Sequence, residues 1–195
     1  MEHGLFLHRL QGWLSRNSGI ELELFYLVSE GDFSGGLGWQ AQYTDYQPCL
    51  LNRDDMELIA TDHPWDDVTG LRRRLDNGHI CVGLKHGDKV AAFTWAEMME
   101  CNHQPLSFRM AENEAYLYDA FTLPTFRGKG LAPYMRFQCY EQLKAKGRNR
   151  FYSISDYFNK PSVHFKQKLN ARFEKLYVSI ATKSGKSHTW KLKTY

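Results

Sequence analysis

The chain has 195 residues, of which 43% are hydrophobic and 14% aromatic, and a formal net charge of +3. A chain of that length buries about 70% of its unfolded surface around a single core, which excludes a disordered polymer or a disulfide-stapled miniprotein, and no apolar run approaches the ~20 residues of a membrane helix. The charge is divided unevenly, with 16 Lys+Arg against 3 Asp+Glu (+13) in 126–195 and −10 in 1–125; this reads either as an anionic partner on one side or as solvated faces whose order along the chain does not map onto two sides of the fold.

The first residues, Met1-Glu2-His3-Gly4-Leu5-Phe6-Leu7-His8-Arg9, lack the basic leader, long apolar stretch and small-residue cleavage site of a secretion signal. Phe6, Leu10, Trp13 and Leu14 mark one face of an opening helix that stops at Asn17-Ser18-Gly19. A strand follows, with Ile20, Leu22, Leu24, Tyr26 and Val28 on one face. Residues 29–39 hold four glycines but complete no nucleotide fingerprint, so a mobile connection is expected. Asn52-Arg53-Asp54-Asp55 starts a helix, and a second starts near His63-Pro64, buries Val68, Leu71 and Leu75 and ends at Asn77-Gly78. Its Arg72-Arg73-Arg74 run fans around the helix and reads as a solvated basic face.

From Ile80 the pattern changes to strands. Ile80, Val82 and Leu84 alternate, Gly87-Asp88 turns the chain, and 90–95 returns as a second arm. Residues 101–113 read as a polar loop before the next strand. Residues 115–122, rich in aromatic and small apolar side chains, form the next strand, and Leu131, Met135, Cys139 and Leu143 then recur at helical spacing up to Gly147. A strand at 150–155, a helix with Pro161 in its first turn and with Phe165 and Leu169, and a hairpin complete the chain. Leu176, Val178 and Ile180 lie on one arm of that hairpin and Trp190 and Leu192 on the other, with the turn at Ser184-Gly185. No repeat or linker divides the chain, and the element order predicts a mixed α/β sheet in a single domain.

The stretch Phe126-Arg127-Gly128-Lys129-Gly130-Leu131-Ala132 lies between a strand and a helix. Glycines there allow a tight turn and close backbone approach, and the helix start offers unpaired N–H groups at its positive end, so the unit is an anion cradle. It is not a P-loop, because Gly130 follows Lys129 and Leu123 occupies the position of the first glycine, and it lacks the three-glycine dinucleotide spacing. Instead, Arg127 to Ala132 is similar to Arg/Gln-x-x-Gly-x-Gly/Ala, the pyrophosphate loop of the GNAT superfamily of N-acetyltransferases. Asn159-Lys160-Pro161-Ser162 and then Lys168-Leu169-Asn170-Ala171-Arg172-Phe173 resemble that family's Asn-x-x-Ser followed by Lys-Leu-Gly-Phe.

The resemblance extends over 80–195. It implies a GNAT-like fold, a mixed and mostly antiparallel sheet flanked by helices, with residues 1–195 as one acyl-CoA N-acyltransferase domain and the more divergent 1–79 on the acceptor side. It implies acetyl-CoA or another acyl-CoA as co-substrate, no metal, and attack by a primary amine in a ternary complex. The acceptor expected is a small molecule, an amino sugar or amino acid derivative, with no membrane partner and a monomer or homodimer. Acetylation of a protein or peptide amine is the alternative within the enzyme class; a non-catalytic module that binds coenzyme A or nucleic acid is the alternative outside it. By the same resemblance the backbone N–H groups of Gly128, Lys129, Gly130, Leu131 and Ala132, with the charge of Arg127, hold the pyrophosphate. The strand is expected to splay near Phe121, Thr122 and Leu123 to bind the pantetheine arm, and Asn159 and Ser162 are further cofactor contacts, although starting a helix explains Asn159 equally well.

Acyl transfer to an amine needs a base for the ammonium and an acid for the leaving thiolate. Asp119, on the strand just before the expected splay, is the first candidate base, with Glu97 and Glu114 as alternatives. The family often places a Tyr seven residues beyond the Asn; here that position is Lys166, so Tyr157, Ser162 or solvent is left as the acid. A covalent route through cysteine is not expected, since no Cys has an evident His partner. Cys49, Cys81, Cys101 and Cys139 show no paired or metal-binding spacing and read as reduced thiols of a cytoplasmic protein, and the eight scattered histidines suggest no metal site.

Overall fold

In a computed structural model, residues 20–32, 36–61, 66–182 and 187–195 are described. The expected opening helix through Phe6 and Trp13, the helix start at His63-Pro64 and the turn at Ser184-Gly185 lie outside them. The strands are β1 (Ile20–Glu30), β2 (Gln47–Leu50), β3 (Ile80–His86), β4 (Lys89–Glu97), β5 (Glu100–His103), β6 (Leu106–Arg109), β7 (Glu114–Thr122), β8 (Arg150–Asp156), β9 (Arg172–Thr182) and β10 (Ser187–Thr194). The helices are α1 (Gly36–Gln42), α2 (Asp55–Ala60), α3 (Val68–Asp76), α4 (Leu131–Lys144) and α5 (Lys160–Lys168).

Eight strands form one sheet in the order β10-β9-β1-β8-β7-β4-β3-β2, and β5 pairs with β6 separately. Every neighbouring pair is antiparallel except β7 and β8. That exception follows from the α4 crossover, because joining two strands through a helix returns the chain in the same direction. Helices lie on both faces: Arg136 of α4 reaches Thr94, while Arg74 of α3 lies over Trp95, the next residue along β4 and therefore on the opposite face.

Helix α4 buries Leu131, Met135, Cys139 and Leu143, as their spacing predicts, each contributing about 1.5–3 kcal/mol at most. Tyr134, Phe137 and Tyr140 are buried too: Tyr134 stacks on Tyr43, Phe137 meets Trp39 of α1 edge-on, and Tyr140 stacks on Phe151 of β8. Helix α3 starts where the Asp67 carboxylate accepts from the Gly70 N–H at 2.8 Å, and it buries Leu71 with Val68 and Leu75 packed beside it.

Several elements differ from expectation. Strand β1 lies between β8 and β9 and buries Phe25, Leu27, Val28 and Glu30 rather than the single face Ile20 to Val28. A bulge between Leu27 and Val28 shifts the alternation, and a central strand packed on both faces has no single buried side. Of the glycine-rich 29–39 segment, Ser29 and Glu30 end β1 and 36–39 open α1, whose Trp39 packs edge-on against Phe137 at 6.1 Å; tertiary burial outweighs the poor helix propensity of glycine. The 101–113 segment holds the β5–β6 hairpin, with fully buried Cys101 opposite Phe108, so a largely polar strand pair was hidden by its polarity. Arg74 is not part of a solvated face: it turns inward over Trp95 and Tyr118.

Candidate active site

The β7–β8 ladder runs from Glu114↔Arg150 to Leu117↔Ser153 and ends there. Between the pairs Trp95↔Tyr118 and Phe93↔Phe121, β7 holds one more residue than β4, and the extra length is taken up at Asp119, whose φ is 48°. Such a bulge bends a strand away from its neighbour. A non-glycine residue there costs about 1–2 kcal/mol, and the Asp119 carboxylate is held at 2.6 Å by Arg74, which also binds Asp66 at 3.0 Å. The strands therefore part at Tyr118 and Ile154, earlier than the Phe121–Leu123 stretch expected. Phe121 and Thr122 still pair with β4, and the Leu123 N–H donates to Ala91 at 3.0 Å.

Two cavities open at this gap, one on each face of the sheet, and Tyr118, Asp119 and Ile154 line both. The cavity on the α4–α5 side, about 380 Å³, is also lined by Ala132, Arg136, Asn159, Ser162 and Lys166. The turn Pro124–Phe126 and the positive φ of Gly128 (78°) and Gly130 (74°) bring the chain round to α4. The Tyr43 hydroxyl meets the carbonyls of Lys129 and Gly130 at 3.3 and 3.2 Å. In trans peptides this turns the N–H groups of Gly130 and Leu131 the other way, at the helix start. No side chain caps that start. The residues thus fit a pyrophosphate: a positive helix end, open space where a Cβ at Gly128 would be, and the cations Arg127 and Lys129 in the same turn. Arg127 Nε donates to the Thr122 carbonyl at 3.1 Å. Asn159 caps α5 by accepting from the Ser162 N–H at 3.1 Å, the structural role weighed for it.

The opposite cavity, about 540 Å³, has four carboxylates on its walls, Glu23, Glu97, Asp119 and Asp156, against one guanidinium, Arg74. Asn102 and His103 of the β5–β6 hairpin line it as well. Within it Tyr118 Oη lies 2.6 Å from His79 Nδ1, and His79 Nε2 meets the Glu97 carboxylate, which also accepts from the Met99 N–H at 2.7 Å. Burial lowers the His79 pKa below the ordinary value of 6.5, more than Glu97 raises it, and Arg74 adds to the lowering. The ring is neutral at pH 7, so Nε2–H donates to Glu97 and Nδ1 accepts from the tyrosine. Burial also raises the Tyr118 pKa well above its ordinary range.

Asp119 and Glu97 thus share a cavity. Glu114 stands at the other end of β7, beside Tyr152 Oη at 3.3 Å and Arg150 at 3.6 Å, five residues before Asp119. Tyr157 packs against Tyr26 and Phe158 with ring centroids 5.4 and 5.1 Å away, and lines neither cavity. Sequence reasoning missed His79, Tyr118, Arg74 and Arg136. Tyr118 was legible only as the neighbour of Asp119, and nothing local to His79 signals its role, since its partners lie 18 and 39 residues away. Among the described residues no group of three or more His, Cys, Asp or Glu is placed to hold a metal ion, and no helix is long and apolar enough to cross a membrane.

The sequence profile of the acetyltransferase (GNAT) family matches residues 39–171, more than half of the chain. The chain belongs to the GNAT family. Its fold agrees with solved GNAT structures. A GNAT-family protein from Novosphingobium aromaticivorans aligns with a TM-score of 0.56 and 17% identity, over 88% of this chain and 66% of that one. A GCN5-related N-acetyltransferase-like protein from Streptococcus suis aligns with a TM-score of 0.56 and 15% identity, over 90% and 65%. AAC(6')-Iy, in complex with the bisubstrate analogue CoA-S-monomethyl-acetylneamine, aligns with a TM-score of 0.51 and 16% identity, over 64% and 88%. The chain spans a little under two thirds of the first two proteins. No curated protein sequence matches it.

Proposed function

We propose that this GNAT chain transfers an acetyl group from acetyl-CoA to the primary amine of a small, positively charged molecule, such as an amino sugar or amino acid derivative, by direct attack in a ternary complex. The observation that carries this reading is the gap in the β7–β8 ladder, where a cavity that reaches Ala132 in the first turn of α4 meets a carboxylate-lined cavity from the opposite face. Donor and acceptor entering from opposite sides meet without either leaving, which is the positional requirement of a direct transfer.

The turn Gly128-Lys129-Gly130, with the N–H groups of Leu131 and Ala132 and the charge of Arg127, binds the pyrophosphate. Phe121, Thr122, Asn159 and Ser162 flank the arm that reaches the gap. On the acceptor side an excess of carboxylate draws a cation, and Asp119, already paired with Arg74, holds the amine at the junction. Deprotonation runs through Tyr118: its oxygen takes a proton from the ammonium as its own proton passes to His79, and Glu97 stabilises the imidazolium. Tyr118, with its raised pKa, is a conduit and not a standing base.

A panel of amines offered with acetyl-CoA, read by release of free thiol and by mass of the product, tests the proposal. Small amines carrying additional positive charge are expected to be acetylated fastest. Turnover confined to peptide amines contradicts the small-molecule acceptor, and coenzyme A binding without transfer to any amine contradicts the enzyme.

A further inference from the structure

Lys166 is 1% exposed, yet it belongs to the wall of the cavity on the α4–α5 side. Its ammonium is 2.7 Å from Ser153 Oγ, 2.6 Å from Ser155 Oγ and 3.3 Å from the Ile154 carbonyl, which accounts for all three protons. Ser155 Oγ in turn lies 3.0 Å from Ser162 Oγ, and Ser162 lines the same cavity. With Lys166 donating to Ser155, and Ser155 to Ser162, the remaining hydroxyl proton of Ser162 is free to donate to an occupant of the cavity.

The charge around Lys166 is more than a structural pair requires. Glu30 of β1, its side chain fully buried, lies 3.6 Å from Lys166 Nζ and 3.5 Å from Arg136 Nε of α4. It also accepts from Ser153 and, at 2.6 Å, from Tyr140 of α4. Burial pushes Glu30 up, but the two cations and the two hydroxyls outweigh it and hold the carboxyl below its ordinary range. One buried carboxylate therefore faces two buried cations, and Arg136 alone neutralises it. The second cation leaves the cluster at net +1, a costly arrangement for packing alone.

We propose that Lys166, Ser155 and Ser162 form a proton relay to the sulfur leaving group, with Ser162 the group that touches the sulfur. The inference rests on the acyl-transfer reading above. As the amine nitrogen bonds to the acyl carbon, the carbon–sulfur bond breaks and its electron pair goes to sulfur. The thiolate takes the Ser162 proton, Ser162 takes that of Ser155, and Ser155 takes one from Lys166, which is left as a neutral amine and regains a proton from solvent along the same chain once the thiol departs. Burial, with a further lowering by Arg136 and against the opposing pull of Glu30, brings the Lys166 pKa down to about 8, so it is charged at pH 7 and releases a proton readily.

The test is the pH profile of kcat at saturating acetyl-CoA and amine for the parent, Ser162→Ala, Lys166→Met and Lys166→Arg, with coenzyme A binding measured by calorimetry. The relay predicts a parental kcat that falls above about pH 8 as Lys166 loses its proton. Lys166→Met and Lys166→Arg should lose about 10²-fold in kcat, because arginine keeps the charge but does not release a proton. Ser162→Ala, which removes only the outer hydroxyl bonded to Ser155 and keeps Glu30, Arg136 and Lys166 in place, should fold as the parent does and lose about tenfold or more. The two Lys166 variants should bind coenzyme A as the parent does, and Ser162→Ala, which loses one contact beside the arm, should bind it only slightly more weakly. A parental kcat and alkaline limb in Ser162→Ala and Lys166→Arg overturns the relay while leaving acyl transfer in place. A parent that binds no coenzyme A overturns both.

Discussion

His79 joins two groups that the chain sets far apart, Glu97 of β4 and Tyr118 of β7, and all three depend on its being uncharged. His79→Gln and Tyr118→Phe should each lower turnover by about 10²-fold while coenzyme A binds unchanged, since neither residue lies on the pyrophosphate turn. The pH dependence carries a sign. Because the folded pKa of His79 lies below 6.5, the unfolded chain takes its proton first. His79 therefore contributes a loss of stability as pH falls from the ordinary histidine value through the folded one. The acid limb of kcat/KM should lie in the same window, and His79→Gln should abolish that limb. Glu30 makes the opposite kind of site: Glu30→Gln would strand Arg136 and Lys166 without a counter-charge in the core and should cost about 3–5 kcal/mol, seen as a lower midpoint in urea at unchanged slope. None of these partnerships is written in local spacing. The position of Asp119 at the gap was legible because the end of a central strand next to a glycine-rich turn is where the chain changes course; its ion pair with Arg74 was not. His79 and Glu30 acquire theirs only from the register that places β3 beside β4 and β1 beside β8.

At the scale of elements, the strand–turn–helix from β7 to α4 was the most legible unit, since two glycines between a strand and an apolar 3.6-residue period leave few other structures. Its test is a pair of substitutions. A Cβ at Gly128 meets open space, so Gly128→Val strains only the backbone, by about 1–2 kcal/mol. A Cβ at Gly130 would also stand 2.8 Å from the Tyr43 hydroxyl, so Gly130→Val should be the less stable of the two by thermal melt. Both should lose coenzyme A affinity in calorimetry, because a branched side chain blocks the N–H groups. Elements that depend on distant contacts were not legible. Helix α1 is glycine-rich and held by Trp39 against Phe137, β2 is a four-residue edge strand containing Pro48, and β5–β6 alternates too many polar residues to announce itself. Strand β1 was legible as a strand, but its insertion between β8 and β9 was not, because pairing partners far apart in sequence leave no mark on periodicity.

For the whole molecule, the uneven charge along the chain becomes a difference between two faces. Glu23 and Glu97 of the acidic portion line one cavity, and Arg136 and Lys166 of the basic portion line the other; Asp156 and Arg74 are exceptions, and Asp119 lines both. In the proposed reaction the more positive cavity takes the phosphate-bearing donor and the more negative one the amine. Acetyl-CoA at about a hundred times its dissociation constant should stabilise the fold by about 2.7 kcal/mol, a rise in Tm of roughly 5–11 °C for a chain of this size; an unchanged melt would count against the donor cavity. In the proposed reaction both substrates occupy the two faces together and react across the β7–β8 gap, and the pattern of initial velocities tests this most directly. With acetyl-CoA varied at several fixed concentrations of an amine that is turned over, double-reciprocal lines should intersect, as a ternary complex requires. Parallel lines would mean that the acyl group leaves its donor before the amine arrives, and would contradict the account.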